Sequence, residues 1–309
     1  MALDDLIKTV AGEIEVTVTE NVQKKLEKKS RAELKRLEDL VQTALTHTAL
    51  HVKIDDGETH EVEGAKHQKL EELIKLCANR LPVLLVGMAG TGKTHAGEQV
   101  AEALGLDFYA MSVGAQTSKS DLMGFIHAGG QYIPSMFRRA FEHGGVFLLD
   151  EIDAGNSNVL VQLNAALSNG YCAFPDKMVV KHKDFVFIAS ANTYGQGASR
   201  QYVGRNQLDA ATLDRFVVLD WDIDPRLEEA FIRTELGKKW LRAVRAMRTY
   251  IDHNGIRALV TPRATLKGEA MLVAGMTFQD TVQAVVLGGI SQDKHDVIRD
   301  VASRAYMEE

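Results

Sequence analysis

The sequence predicts an α/β fold with a parallel sheet at its centre, and three observations predict it. From Pro82 to about Asp222 short apolar runs are separated by helical segments, the first run is followed by a glycine-rich loop, and a later run ends abruptly in carboxylates. Runs that are apolar throughout, rather than alternating, suit strands covered on both faces, as in a parallel sheet. Five strands are expected, near residues 83–86, 107–112, 146–149, 185–190 and 216–220.

The first run, PVLLV, ends at Gly87, and Gly87-Met88-Ala89-Gly90-Thr91-Gly92-Lys93-Thr94-His95 follows it. The helix that opens there places Ala96, Val100 and Leu104 on one side and stops at Gly105. Glycines let a backbone curl so that its N–H groups point inward at phosphate oxygens, and the helix N-terminus adds positive potential. Lys93 would reach the terminal phosphates and the Thr94 hydroxyl would meet a magnesium ion. A strand before and a helix after the loop make a ligand-free glycine turn a poor alternative, so the loop reads as the phosphate cradle of a P-loop nucleoside triphosphatase.

The later run, Gly145 to Leu149, ends in Asp150-Glu151-Ile152-Asp153, at the strand end where ligands bind in open α/β sheets. Asp150 would hold the hydration shell of the metal, and Glu151 would orient and deprotonate an attacking water. Asp153 reads either as a further polar contact or as the cap of a helix starting near Asn156. The strand Phe185 to Ser190 leads into Asn192, whose neutral amide can hydrogen-bond a phosphate or water without repelling it, unless it is only a turn residue. Arg215 stands between a short helix and the fifth strand, where a cation needs an anion to meet, and phosphoryl transfer develops one. Thr261-Pro262-Arg263 has the form of a helix start that would project Arg263. Either arginine could instead be an ordinary surface residue.

On both sides of this core the pattern changes, and three regions are expected: an N-terminal helical and β-hairpin extension over 1–66, the α/β core over 67–223 and a helical lid over 224–309. Leu34, Leu37, Val41 and Leu45 recur at helical spacing, and the basic run from Lys24 to Arg36 reads either as a solvated face balanced by Glu27, Glu33, Glu38 and Asp39 or as a nucleic-acid contact. Leu50, Val52 and Ile54 alternate before an Asp55-Asp56-Gly57 turn, which predicts a hairpin returning through Glu58 to Val62. A helix near Gln68 to Cys77 enters the core. Past Asp224, Trp240/Leu241, Val244, Met247 and Ile251 keep helical spacing.

With 309 residues, 45% of them hydrophobic, the chain can bury a large core, and its net charge of −6 gives no overall attraction to nucleic acid or an anionic membrane. Two cysteines, Cys77 and Cys172, are too few for a disulfide framework and fit a reducing compartment. The opening MALDDLIKTV lacks the form of a signal peptide and no run is long enough to span a bilayer, so a cytoplasmic location is expected. His47 and His51 are four apart, but the alternation around His51 speaks for a strand rather than a metal site.

Taken together these motifs resemble the AAA+ ATPases, and within them the MoxR/CbbQ group, related to dynein-type and chelatase modules. The likeness runs from about His67 to Ala274 and rests on GMAGTGKT, VFLLDEID, SANT, LDAATLDRF and TPRA in the family's order. It implies ATP and Mg²⁺ as cofactors and a sheet order of 5-1-4-3-2. It makes Lys93 and Thr94 the Walker A pair, Asp150 and Glu151 Walker B, Asn192 sensor 1, Arg215 the arginine finger and Arg263 sensor 2. Arg200 and Arg205, in YGQGASRQYVGRNQ, are rival fingers, with Arg205 the stronger rival. Ser120 to Ile133 matches the family's helix-2 insert, and Tyr171 to His182, turning at Pro175-Asp176, its pre-sensor-1 hairpin. In the family both line the face or pore of a ring, which would bring Phe125, Tyr132 or Phe174 to a substrate unless these are plain surface hairpins.

The expectation is therefore an ATPase, converting ATP and water to ADP and phosphate, that works as a homo-hexameric ring and remodels a protein partner. Alternatives are a nucleic-acid remodelling or translocating motor, a chelatase-type motor subunit, and a nucleotide-gated scaffold, the last disfavoured by an intact Glu151 and Asn192.

Overall fold

The computed structural model describes residues 50–53, 59–62 and 64–308. These lie within one compact unit, Ala49–Glu309. The helix expected between Val22 and Leu45, its basic run and the Asp55–Gly57 turn lie outside the described residues.

Strands β1 (Leu50–Lys53) and β2 (Thr59–Val62) form the expected antiparallel hairpin, Leu50 opposite Val62 and Lys53 opposite Thr59. Helix α1 (Leu70–Ala78) buries Leu70, Leu73, Ile74 and Cys77, a 3-4 spacing that puts all of them on one face, with Glu71 and Glu72 at its positive end. The core then begins with β3 (Val83–Val86), α2 (Lys93–Leu104) and β4 (Phe108–Ser112). On α2, Ala96, Val100 and Leu104 are buried as their spacing predicts, and Gly105 ends the helix in the left-handed region at φ 63°.

Helix α3 (Lys119–Met123) starts at a capping box of Ser118 and Asp121 and leads into the small hairpin β5 (Phe125–Ile126) and β6 (Tyr132–Ile133). Helix α4 (Met136–His143) returns to the sheet at β7 (Gly145–Asp150). A 3-10 turn, Ile152–Ala154, and helix α5 (Ser157–Asn169) follow. A second antiparallel hairpin, β8 (Tyr171–Ala173) and β9 (Met178–Val180), precedes β10 (Phe185–Ala191). Short helix α6 (Ala210–Leu213) and β11 (Val217–Asp220) complete the core.

The large sheet runs β11-β3-β10-β7-β4 and all its pairings are parallel. Numbered along the chain, the core strands therefore stand in the order 5-1-4-3-2. The central strands β3 and β10 are buried along their whole length, which explains why their sequences show no polar alternation. Successive side chains divide between two cores. Leu84, Val86, Phe147, Leu149 and Phe187 face a cluster of phenylalanines built on Phe137, Phe141 and Phe185. Val83, Leu85, Val146, Leu148 and Ile188 face α1 and α2.

After the sheet only helices remain: α7 (Pro225–Ala230), α8 (Glu235–His253), α9 (Pro262–Val273), α10 (Phe278–Val285) and α11 (His295–Met307). Their own core gathers Trp240, Val244, Met247 and Ile251 of α8 with Val260, Leu272, Val282 and Ile298. Gly268 on α9 is a contact point: a Cβ there would lie 2.0 Å from the Trp240 ring, so the crossing of α8 and α9 needs glycine.

For Asp153 the structure takes the polar-contact alternative, and for Phe174 it departs from the expectation. Asp153 does not cap α5; Asn156 does, accepting from Asn158 N–H at 3.0 Å, because Asp153 is drawn instead toward the strand end of β10. Phe174 is buried in the phenylalanine cluster under Arg138 and so is not available to a partner, whereas Phe125 is exposed.

Candidate functional site

At the C-terminal edge of the sheet, β3 passes into the glycine-rich loop. Gly87 leaves no room for a side chain, since a Cβ would lie 2.0 Å from the Trp221 carbonyl oxygen. Gly90 and Gly92 take positive φ values of 79° and 86°, which only glycine adopts at little cost. The curl turns the loop over the start of α2, where Lys93 is buried.

Lys93 Nζ donates to Gly87 O at 2.7 Å, to Met88 O at 2.9 Å and to Asn192 Oδ1 at 3.1 Å. Burial pushes its ammonium down to about 8, against the opposing pull of Asp150, Asp153 and Glu151. Thr94 Oγ1 donates to Asp150 Oδ2 at 2.9 Å. The other oxygen of Asp150 accepts from the Ser190 hydroxyl and from Glu151 N–H. Thr94 and Asp150 thus present hard oxygen donors side by side. Among the described residues no group of three or more His, Cys, Asp or Glu could hold a metal. That combination suits Mg²⁺, which takes one or two protein oxygens and leaves its other positions to water and phosphate.

Glu151 has a left-handed backbone at φ 58°, a conformation that costs a non-glycine residue roughly 1–2 kcal/mol. Its N–H is held by Asp150 Oδ1 and Ser190 Oγ, so the strain is imposed by the strand ends. Asp153 is fully buried, and its Oδ2 accepts from Asn192 N–H, Thr193 N–H and Thr193 Oγ1 at 2.9 to 3.0 Å. The amide of Asn192 is thereby fixed beside Lys93.

Lys93, Thr94, His95, Asp150, Glu151, Asn192 and Arg263 line one cavity of about 320 Å³ with Ala89, Gly90 and Gly92. The remaining loop residues, Met88 and Thr91, close the curl from within, Thr91 Oγ1 donating to Met88 O at 2.9 Å. Arg263 lies over the loop, its Nε and Cγ 3.3 Å from where a Cβ of Gly90 would stand, and among the described residues no carboxylate pairs with it.

Arg215 does not line this cavity; its Nε donates to Ser168 Oγ on α5 at 2.7 Å and its guanidinium also meets Ala211 O. Arg205 lies against Glu151, Nη1 to Oε2 at 3.3 Å, in the same chain.

A second cavity of about 270 Å³ shares Gly90, Gly92, His95 and Arg263 with the first and is walled by His67, Trp221, Leu227 and Phe231. His67 stacks on Trp221 with ring centroids 4.0 Å apart. It donates from Nε2 to Asp222 O while Nδ1 accepts Lys69 N–H, and burial holds its pKa below the ordinary histidine value. Trp221 in turn donates to Thr91 O, tying this wall to the loop. Sequence reading missed Ser190, Tyr202, Trp221 and His67. Trp221 carried a signal, an aromatic next to the fifth strand's end, but not one that separates a ligand wall from core.

Residues 82–216 match the AAA domain of the dynein-related subfamily. The chain therefore carries an AAA+ domain of the dynein-related kind over these residues. It is 24% identical over 243 residues to the protein NorQ of Paracoccus denitrificans, covering 74% of this chain and 88% of NorQ. It is 29% identical over 153 residues to the aerobic cobaltochelatase subunit CobS of a Sinorhizobium species, 46% of each chain. It is 27% identical over 286 residues to a Lon protease of Flavobacterium johnsoniae, covering 79% of this AAA+ chain but 34% of the Lon protease, so it spans about a third of that relative. No described helix of this AAA+ protein is long and apolar enough to cross a membrane.

Proposed function

We propose that this chain is an Mg²⁺-dependent ATPase that works as a ring motor, a hexamer by its family, and remodels a protein partner. The observation that carries the reading is the convergence of Lys93, Thr94, Asp150, Glu151 and Asn192 on one cavity, at the end of the sheet where the loop's N–H groups gather. Loop residues Gly87 to Thr94 bind the phosphates, and Lys93 exchanges its loop carbonyls for phosphate oxygens. Thr94 and Asp150 hold the magnesium ion, which when bound neutralises phosphate charge. Glu151 orients the attacking water and takes its proton, Asn192 hydrogen-bonds the water or the terminal phosphate, and the cavity of His67 and Trp221 takes the base. Arg263 brings the helical part of the chain to the phosphates.

Arg215 is read as the finger that completes a neighbour's site. Its absence from its own cavity, with a serine and a carbonyl as partners rather than a carboxylate, supports this. Mixed rings of Arg215→Ala and Glu151→Gln chains test it: each parent is inactive, and mixing restores hydrolysis at interfaces that pair an intact arginine with an intact glutamate. Verified mixing without recovery would falsify the trans assignment.

The protein-remodelling part rests on two hairpins that expose apolar side chains, Phe125, Ile126 and Ile133 on one, Tyr171, Met178 and Val180 on the other. A second reading, a chelatase-type motor subunit, is favoured by the likeness to CobS. Capture with the Glu151→Gln chain, which would hold ATP and its partner together, separates them: a protein substrate bound at the hairpins supports the first, companion chelatase subunits the second.

A further inference from the structure

Asp153 is fully buried, and among the described residues its Oδ1 accepts no hydrogen bond. A carboxylate oxygen in that position needs a cation facing it. Arg205 Nη1 supplies one at 3.5 Å and stands 3.3 Å from Glu151 Oε2 at the same time. One nitrogen thus faces two carboxylates, one buried and fixed, the other half exposed at the mouth of the phosphate cavity. Arg205 itself is only 13% exposed.

The backbone around Arg205 is tied to the same turn that carries Glu151. Asn206 N–H donates to Asp153 O at 2.7 Å, Asn206 Nδ2 to Gly155 O at 2.9 Å, and the Ser157 hydroxyl to Gln207 O at 2.7 Å. On the other side of Arg205, the Tyr202 hydroxyl accepts the Ala89 N–H of the phosphate loop at 3.0 Å. The segment from Tyr202 to Gln207 therefore spans from the phosphate loop to the turn after β7, with Arg205 in between.

We infer that Arg205 is a positioning residue for Glu151 of its own chain, an ion-paired guide anchored on Asp153 that fixes where the glutamate carboxylate points. This rests on reading Glu151 as the base. A carboxylate at the end of a flexible side chain, on a strained backbone and half exposed, has many rotamers open to it. General-base catalysis uses only the one that reaches the water. Arg205 holds one oxygen and leaves the other to the substrate side. An arginine in this position cannot also extend to a neighbour's site without stranding Asp153, which assigns it to its own chain.

Steady-state hydrolysis by the full chain tests this with Arg205→Ala, Arg205→Lys, Glu151→Gln and the double variant Arg205→Ala/Glu151→Gln. Arg205→Ala is expected to lower kcat by roughly 10- to 100-fold, the scale of a misplaced catalytic group, with KM for ATP changed less than about twofold. Arg205→Lys keeps a charge facing Asp153 without the planar guanidinium, and should retain more turnover than the alanine variant while staying below the parent. It carries the test should Arg205→Ala fail to fold. In single turnovers, Arg205→Ala should add nothing to Glu151→Gln, because the guide has lost what it guides. Mixed rings of Arg205→Ala and Glu151→Gln should show no recovery, in contrast to the Arg215 mixture.

Parent-like or raised kcat in a folded Arg205 variant, a loss confined to KM, an additive loss in the double variant, or recovery on mixing would each overturn the inference. Parent-like hydrolysis by Glu151→Gln would instead overturn the reading of the base itself, so the two failures look different.

Discussion

The Thr94 hydroxyl donates to Asp150 Oδ2 across 2.9 Å, joining the first turn of the helix after the phosphate loop to the end of strand β7. These oxygens come from segments 56 residues apart, brought together by the parallel pairing of the sheet. A dedicated all-protein magnesium cage would need more ligands, so on the proposed reading the ion would arrive with its nucleotide. Asp150→Ala should therefore abolish the Mg²⁺ dependence of ATP binding and lower turnover by about 100- to 1,000-fold, the usual cost of removing one stabilising group from a charged transition state. Titration of ATP with and without EDTA checks it, and an unchanged dependence on magnesium would refute the placement.

Arg138 is the largest departure from a simple polar surface. Its side chain is 3% exposed, yet it pairs with Asp176 at 2.8 Å and Glu142 at 2.9 Å and lies 4.5 Å over the Phe174 ring and 5.2 Å from that of Tyr132. It thus ties helix α4 to both small hairpins. Breaking a buried pair from one side typically costs 3–5 kcal/mol; with Asp176 and Glu142 each about a quarter exposed to water, Arg138→Ala should lose about 3 kcal/mol. Denaturant unfolding measures it. A loss within about 0.5 kcal/mol, the range of ordinary surface substitutions, would show the node to be dispensable.

The contrast between these two sites shows what could be read from the sequence. The loop, the carboxylate-ended strand and Asn192 were legible because each is a local pattern: a glycine where φ must be positive, an apolar run of strand length, a polar residue where such a run stops; the two small hairpins came with the resemblance. The sheet order came with the resemblance rather than from those patterns. Arg138 with Asp176, Tyr202 with Ala89 and Arg205 with Asp153 were not legible. Each joins residues 38 to 113 positions apart through side chains whose directions are set only once the sheet has formed. A lone arginine in a polar loop looks the same whether it will face a neighbour or its own glutamate. Arg205 was read as a rival finger for that reason.

Acid should loosen the helical part of the chain through Glu228. Burial alone would raise this carboxyl, but hydrogen bonds from Arg248 and Thr265 and the charges of Arg248 and Arg245 outweigh it and hold it below the ordinary carboxylate range. Arg248 grips it from two nitrogens at 2.6 and 3.1 Å. A depressed folded-state value means the stabilisation is fully present above the unfolded-state pKa of about 4.3 and is lost as pH falls through the lower folded value. The melting temperature of the parent should fall as pH drops below about 4.3, the ordinary glutamate value, and Glu228→Gln should be less stable at pH 7 but lose less on acidification. Parallel curves for the two proteins would contradict the assignment.

Trp221 offers the most direct view of nucleotide binding. The chain has two tryptophans, Trp221 and Trp240. Trp240 is buried in the helical core against Gly268, donates to Ala264 O and lines neither cavity. Trp221 walls the cavity beside the phosphate loop, stacks on His67 and donates to Thr91 O, so a base entering there changes its surroundings on three sides. Added ATP should alter the intrinsic fluorescence of the parent and of Trp240→Phe but leave that of Trp221→Phe unchanged. In Lys93→Ala the change should require at least about tenfold more ATP, since a charge-assisted hydrogen bond to phosphate is worth about 1.5–3 kcal/mol. A signal that survives in Trp221→Phe would place the base elsewhere.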